Sequence, residues 1–167
     1  MLRFLRKILP CQNLILFQTM CAFKRSERGM EFIMKDLLKT NCFDIQETMI
    51  IVGSCLENMQ PNAYKELEKI SGNIYEVCLE KEHLNMVVTK IIGMVARGVI
   101  KKLIFATVDK SPHCIQLHYV IKELENAIDL SNIEIINYVA VNDKLVNIPI
   151  EVISLSKNLA KLKEKMG

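Results

Sequence analysis

From Met49 onward the chain alternates short, nearly unbroken apolar runs with segments whose apolar residues recur at helical spacing, and this alternation narrows the available folds most. "MIIVG" (49–53) is a strand ending in glycine. "NAYKELEKIS" (62–71) carries Leu67 and Ile70 among charges, as a surface helix does, and Gly72 closes it. "NIYEVCL" is a second strand running through Cys78. In "HLNMVVTKIIGMVARGVI", Leu84, Val87, Val88, Ile91, Ile92 and Val95 repeat at helical spacing, and Gly98 terminates the pattern. "KKLIFATV" (101–108) is a third strand, "SPHCIQLHYVIKELENAI" a third helix and "IEIINYVAV" (133–141) a fourth strand.

Strands that alternate with helices of this length form parallel βαβ units, and right-handed crossovers cover both faces of the sheet with helices. Burial on both faces explains why "MIIVG" and "LIFATV" do not alternate polar and apolar residues. The expectation is an α/β fold of three layers, α/β/α, around a mainly parallel four-stranded sheet of order 2-1-3-4. Asn142 and Asp143 then read as a turn into a short antiparallel edge strand over 144–148, ended by Pro149. "MKDLLKTN" before the first strand reads as a short helix, and "SLSKNLAKLKEKMG" as one C-terminal helix with a basic last turn.

A chain of 167 residues, half of them hydrophobic, can build one ordinary core, so residues 34–167 are assigned to a single domain and residues 1–33 to an N-terminal arm. The arm holds Arg3, Arg6, Lys7, Lys24, Arg25 and Arg28 against Glu27 and Glu31. The remainder is nearly neutral, with 16 basic and 17 acidic residues, and has neither tryptophan nor an aromatic–basic patch. Nucleic-acid binding is therefore not expected. In the arm, Gln12, Asn13, Gln18 and Thr19 interrupt the apolar run, which leaves it too broken to span a bilayer. A basic amphipathic segment, a leader poor in serine, and an upstream extension of a chain starting at Met30 or Met34 all fit its composition; membrane contact through it is not expected.

Six cysteines, Cys11, Cys21, Cys42, Cys55, Cys78 and Cys114, are scattered without a CxxC pair, which suits a reducing, cytoplasmic setting. Neither GxGxxG nor GxxxxGK[ST] occurs, so no dinucleotide fingerprint or P-loop is present.

In an open parallel sheet, ligands bind beyond the carboxyl ends of the strands where the order reverses. For order 2-1-3-4 that point lies between the first and third strands, and it places "GSCLENMQ" (53–60) beside "DKSPHC" (109–114). Ser111 and Pro112 form a helix start, serine capping and proline at the first helical position. Cys114 then stands in the first turn, where free amides and the helix dipole favour a thiolate. His113 adjoins it, and His118 lies one turn further along the same face.

These residues support two uses. In one, Cys114, His113 and Asp109 carry catalysis, and Cys55, Cys114 and His118 hold a metal. In the other, Gly53, Ser54 and Ser111 offer amides and hydroxyls to a nucleotide or small anion, or the domain docks a partner protein. Plain architecture competes at each position. Cys55 and Cys114 can face the sheet, His118 can be a hydrogen-bonded packing residue, Asp109 can be a turn residue, and Cys78 reads as core with Glu80 and His83 at the rim.

"VGSC" and "TVDKSPHCIQLHY" resemble a group of small Rossmann-like domains of anaerobic archaea and bacteria, often encoded with or fused to ferredoxin-type iron–sulfur modules. The resemblance spans Met49 to Val146. It implies a Rossmann-like domain acting as a cytoplasmic accessory to redox metabolism, with a ferredoxin-type partner. The chain has no CxxCxxC run, so an iron–sulfur cluster would have to be borne by that partner. A looser likeness, in topology alone, is to the cysteine-bearing Rossmann-like iron–sulfur subunit of methanogen hydrogenases.

Overall fold

A computed structural model describes residues 34–166, and the expectations placed on the N-terminal arm, including Cys11 and Cys21, lie outside them. The described residues form one sheet flanked on both faces by helices. In chain order they run β1 (Lys35–Asp36), β2 (Thr48–Gly53), α1 (Leu56–Met59), α2 (Pro61–Ile70), β3 (Ile74–Val77), α3 (Leu84–Val95) and β4 (Lys102–Val108). There follow α4 (Pro112–Ala127), β5 (Glu134–Val141), β6 (Lys144–Asn147), α5 (Ile150–Ser156) and α6 (Leu159–Met166).

The sheet has six strands in the order β1-β3-β2-β4-β5-β6, and only the β5–β6 pairing is antiparallel. Its central four strands, β3-β2-β4-β5, reproduce the order expected from the sequence. The difference lies at one edge. Met34–Asn41, expected to be a short helix, instead contributes the two-residue strand β1, which pairs Lys35 with Tyr75 and Asp36 with Glu76. The Asp36 carboxylate then accepts hydrogen bonds from the Leu38 and Lys39 amides at 2.9 and 3.1 Å, and this Asx-type turn competes with helix propagation.

Alternate residues of the central strands feed two cores. Met49, Ile51, Leu103 and Phe105 pack on one face with Val87, Ile91 and Met94 of α3 and Leu117, Val120 and Leu124 of α4. Ile50, Val52, Ile104 and Ala106 pack on the other with Leu56 of α1 and Ala63, Tyr64 and Leu67 of α2. The β2-α2-β3 crossover thus covers one face and the β3-α3-β4 and β4-α4-β5 crossovers the other, as right-handed connections leaving β2 and β4 in opposite directions require.

Three turns hold positive φ, among them the β4–α4 loop, with Lys110 at 64°. Gly98, at +73°, follows α3 and donates its amide to Val95, as the spacing predicts for a terminating glycine. Asn142 and Asp143, at 49° and 62°, make the two-residue β5–β6 hairpin turn. Asp143 is also clamped from α2, its carboxylate accepting from the Asn62 amide and side chain at 3.0 and 2.8 Å. The C-terminal segment departs from the single helix expected: Lys157 and Asn158 separate α5 from α6, and Asn158 donates back to Leu155 at 2.8 Å.

Phe105 is central to the α3/α4 core and fully buried. Phe105→Ala is expected to lower unfolding stability by about 3–5 kcal/mol, read as a lower urea midpoint at an unchanged m-value.

Candidate functional site

The order reversal falls between β2 and β4, and the loops after these strands meet there. Gly53 is the last residue of β2, Ser54 continues the ladder by donating to Val77 at 3.0 Å, and Cys55 precedes α1. Opposite, Ser111 caps α4 as expected, its hydroxyl accepting the Cys114 amide at 3.3 Å, with Pro112 in the first turn. The Ser54 amide and the Ser111 hydroxyl are thus engaged in architecture, and the two loops bring two thiols together. Cys55 Sγ lies 3.8 Å from Cys114 Sγ.

Gly53 makes this approach feasible. A Cβ built on it would stand 3.2 Å from Cys114 Sγ, tighter than ordinary van der Waals contact, so the missing side chain leaves the thiol its space. Cys114 is buried and Cys55 half-buried. Burial pushes the Cys55 thiol above its ordinary value of 9.0, and the neighbouring Cys114 adds to the rise.

The crevice around the pair is small, about 40 Å³, and is lined also by Cys78, Glu80, Ser111 and His113. A nucleotide needs several hundred Å³. The volume accommodates only a few water-sized groups, so a nucleotide cradle from Gly53, Ser54 and Ser111 does not have the space in this crevice.

The other expected participants divide. His113 is exposed and borders the thiol crevice. Asp109 is exposed too, but it lines a separate hollow on the far side of Ser111, with its amide donating to Ala140 at 3.3 Å. His118 is buried away from the thiols: Thr107 Oγ1 lies 2.8 Å from Nε2 and Asn137 Oδ1 lies 3.1 Å from Nδ1. Both ring nitrogens are thereby engaged, which is the hydrogen-bonded packing role rather than that of a ligand beside Cys55 and Cys114. Among the described residues no group of three or more His, Cys, Asp or Glu is placed to hold a metal ion.

Cys78 is the residue whose place the sequence concealed. It reads as a continuation of the second strand, but β3 ends at Val77 and Cys78 turns out into the thiol crevice, half-buried. The available signal was positional: it is the last residue before "LEKEH", at the carboxyl end of a strand expected to lie beside the first.

Fold and site together define a doubly wound α/β domain with a thiol pair at its switch point. A family model described as Rossmann-like domain matches residues 44–166, and the chain belongs to that family. No curated protein and no solved structure matches the chain. Among the described residues no helix is long and apolar enough to cross a membrane.

The buried His118 has its pKa lowered from the ordinary value of 6.5, because desolvation outweighs the hydrogen bond to Asn137. The unfolded chain therefore takes up this proton first. The stability contribution is complete above pH 6.5 and is lost as pH falls towards the folded-state value. Urea titrations from pH 7.5 down to 5 should show a decline approaching at most about 1.4 kcal/mol per pH unit from this one group. In His118→Gln, less stable at neutral pH, that part of the slope should vanish.

Proposed function

We propose that the domain is a redox accessory module whose Cys55–Cys114 pair cycles between dithiol and disulfide. The 3.8 Å separation of the two sulfurs, held by two loops of the switch point, is the observation that carries this reading. Closing the bond requires the sulfurs to approach to about 2.05 Å, a movement that side-chain rotation and a small loop shift can supply.

The chemistry is thiol–disulfide exchange. The more accessible Cys55, as thiolate, attacks an incoming disulfide, forming a mixed disulfide and expelling one thiol. Cys114 then attacks Cys55 Sγ, forms the internal bond and expels the second thiol. Two electrons and two protons have passed from the domain to the incoming disulfide. The reverse reaction returns them from a dithiol, or from a ferredoxin-type partner that delivers one electron from its cluster in each of two steps, with two protons from solvent. Such a partner accords with the resemblance of "VGSC" and "TVDKSPHCIQLHY" to domains that accompany iron–sulfur modules. A reducing, cytoplasmic compartment would hold the resting pair as thiols.

One observation favours a second reading. Two thiolates on one tetrahedral zinc, with bonds of about 2.3 Å, also stand about 3.8 Å apart. That chemistry needs further ligands, and Cys78 and His113 border the same crevice. Exchange is preferred because two converging thiols complete a redox pair, whereas they supply only half of a structural zinc site.

Protein purified without oxygen and treated with a small oxidised disulfide should lose two titratable thiols, with Cys55 and Cys114 joined in one cross-linked peptide. Cys114→Ser should instead stop at the mixed disulfide on Cys55. Alkylation of Cys55 should accelerate as pH rises through 9.0 and beyond, since its thiol is held protonated by burial. Stoichiometric zinc in the wild type, lost in Cys55→Ser and in Cys114→Ser, would replace exchange by the metal reading, and two thiols that remain titratable would sink exchange outright.

A further inference from the structure

Beyond Ser111, on the α4 face of the sheet, lies a second hollow of about 510 Å³. It is formed by the ends of β4 and β5, the β6 edge, the first turns of α4, and α5. Of the residues around it, only Ser111 also borders the thiol crevice, so the two spaces are separate sites. Its volume is that of a pocket for a small organic molecule, typically about 300–1,000 Å³.

The walls are aliphatic, among them Ile115, Val139, Val146, Ile148, Val152 and Ile153. Ile115, Val146 and Val152 are 45%, 44% and 52% exposed, which sets them at the mouth. Thr107 and His118 line the same hollow and are each 1% exposed, which sets them at its inner end. Asp109 and Lys110, one charge of each sign, stand exposed at the rim and give it no net charge to select by.

The inner end has one kind of polar capacity left. The carbonyl oxygen of Asn137 faces Nδ1 of His118, so that nitrogen carries the proton and donates. Nε2 must then accept, and the hydroxyl of Thr107 gives it its only proton. What remains is a lone pair on Thr107 Oγ1, an acceptor without a proton of its own. An anionic head group would meet an oxygen that cannot donate to it. A cationic one would lose its hydration in an aliphatic space, with no carboxylate at that depth among the described residues. A neutral hydroxyl satisfies both partners with a single hydrogen bond.

We infer that this hollow binds a neutral, hydroxyl-bearing apolar molecule of the medium-chain or alicyclic alcohol class, its hydroxyl donating to Thr107 Oγ1 and its hydrocarbon body lying along the valine and isoleucine walls. Val139, the β5 register partner of Thr107, sits directly beside the head group. Specificity arises at the inner end and affinity along the walls, the usual division of labour in a mostly apolar pocket with few polar groups.

Calorimetric titration of the full-length protein with 1-octanol, octyl methyl ether and octanoate tests this. The alcohol should bind saturably, and the ether, which cannot donate, and octanoate should each bind roughly tenfold more weakly or less. Val152→Trp, a change at a half-exposed mouth position, should abolish octanol binding by filling the entrance. Thr107→Val, where it folds, should bring the alcohol down to the affinity of the ether. Absence of saturable octanol binding, equal affinities for alcohol and ether, tighter binding of octanoate, or unchanged binding in Val152→Trp would each overturn the inference.

Discussion

The pairing of β2 with β4 is the constraint on which the rest depends. Thr48 to Val52 run parallel to Lys102 to Ala106, and from Met49 to Val52 and Leu103 to Ala106 every side chain is fully buried. A parallel pair of this kind must be covered on both faces, and each covered side chain contributes about 1.5–3 kcal/mol for the larger aliphatics and Phe105. The two strands are neighbours in space but not in sequence, because β3 and its helices intervene. The connections leaving them diverge to opposite sides of the sheet, so a gap opens above their carboxyl ends. Cys55 and Cys114 occupy that gap because their loops have nowhere else to go.

The central strands and their order were legible because a two-faced buried strand has a signature that needs no knowledge of its neighbours: a continuous apolar run closed by Gly53 or opened by Lys101 and Lys102. Gly98, Asn142 and Asp143 were legible for the same reason, as local backbone requirements. The departures are tertiary. Lys35 and Asp36 become a strand only because Tyr75 and Glu76 present a free edge to them, and nothing within "MKDLLKTN" records that edge. Lys157 and Asn158 break a helical pattern whose sequence carries no proline, and no glycine before Gly167; in the structure Asn158 turns back to Leu155, and α6 beyond it buries no side chain that would extend the helix as one piece.

The site shows the same division between local and long-range information. Ser111, Pro112 and Cys114 were placed correctly because a capped helix start is a local event, confirmed by the Ser111 to Cys114 hydrogen bond. His118 sits one turn from Cys114 in the sequence, yet its environment is set by Thr107 and Asn137. Both are polar interruptions in otherwise apolar strands, and both face α4 from adjacent β4 and β5. Three isolated polar residues on a buried face predict one another, since each alone would leave an unsatisfied group. That complementarity was present in "LIFATV", "QLHYV" and "IINYV", but it can be read only once the β4–β5 register, Phe105 opposite Asn137, is known.

The start of α4 emerges as a partition. On one side it supplies Cys114 to a crevice of about 40 Å³, and on the other it supplies Ile115 and, one turn on, His118 to a hollow of about 510 Å³. Ile115 stands about 100° around the helix from Cys114, and the two residues line different spaces. The small crevice has no room for a bulky reactant beside the thiols, so the proposed exchange would require a disulfide presented on an edge or at the end of a partner. The large hollow excludes charge from its inner end and has no reactive sulfur among its walls. One capped helix start thereby separates the thiol pair from the larger hollow. A substitution that shifts it, Pro112 or Ser111 above all, alters both spaces at once, whereas changes at Cys55 or Val152 reach only one.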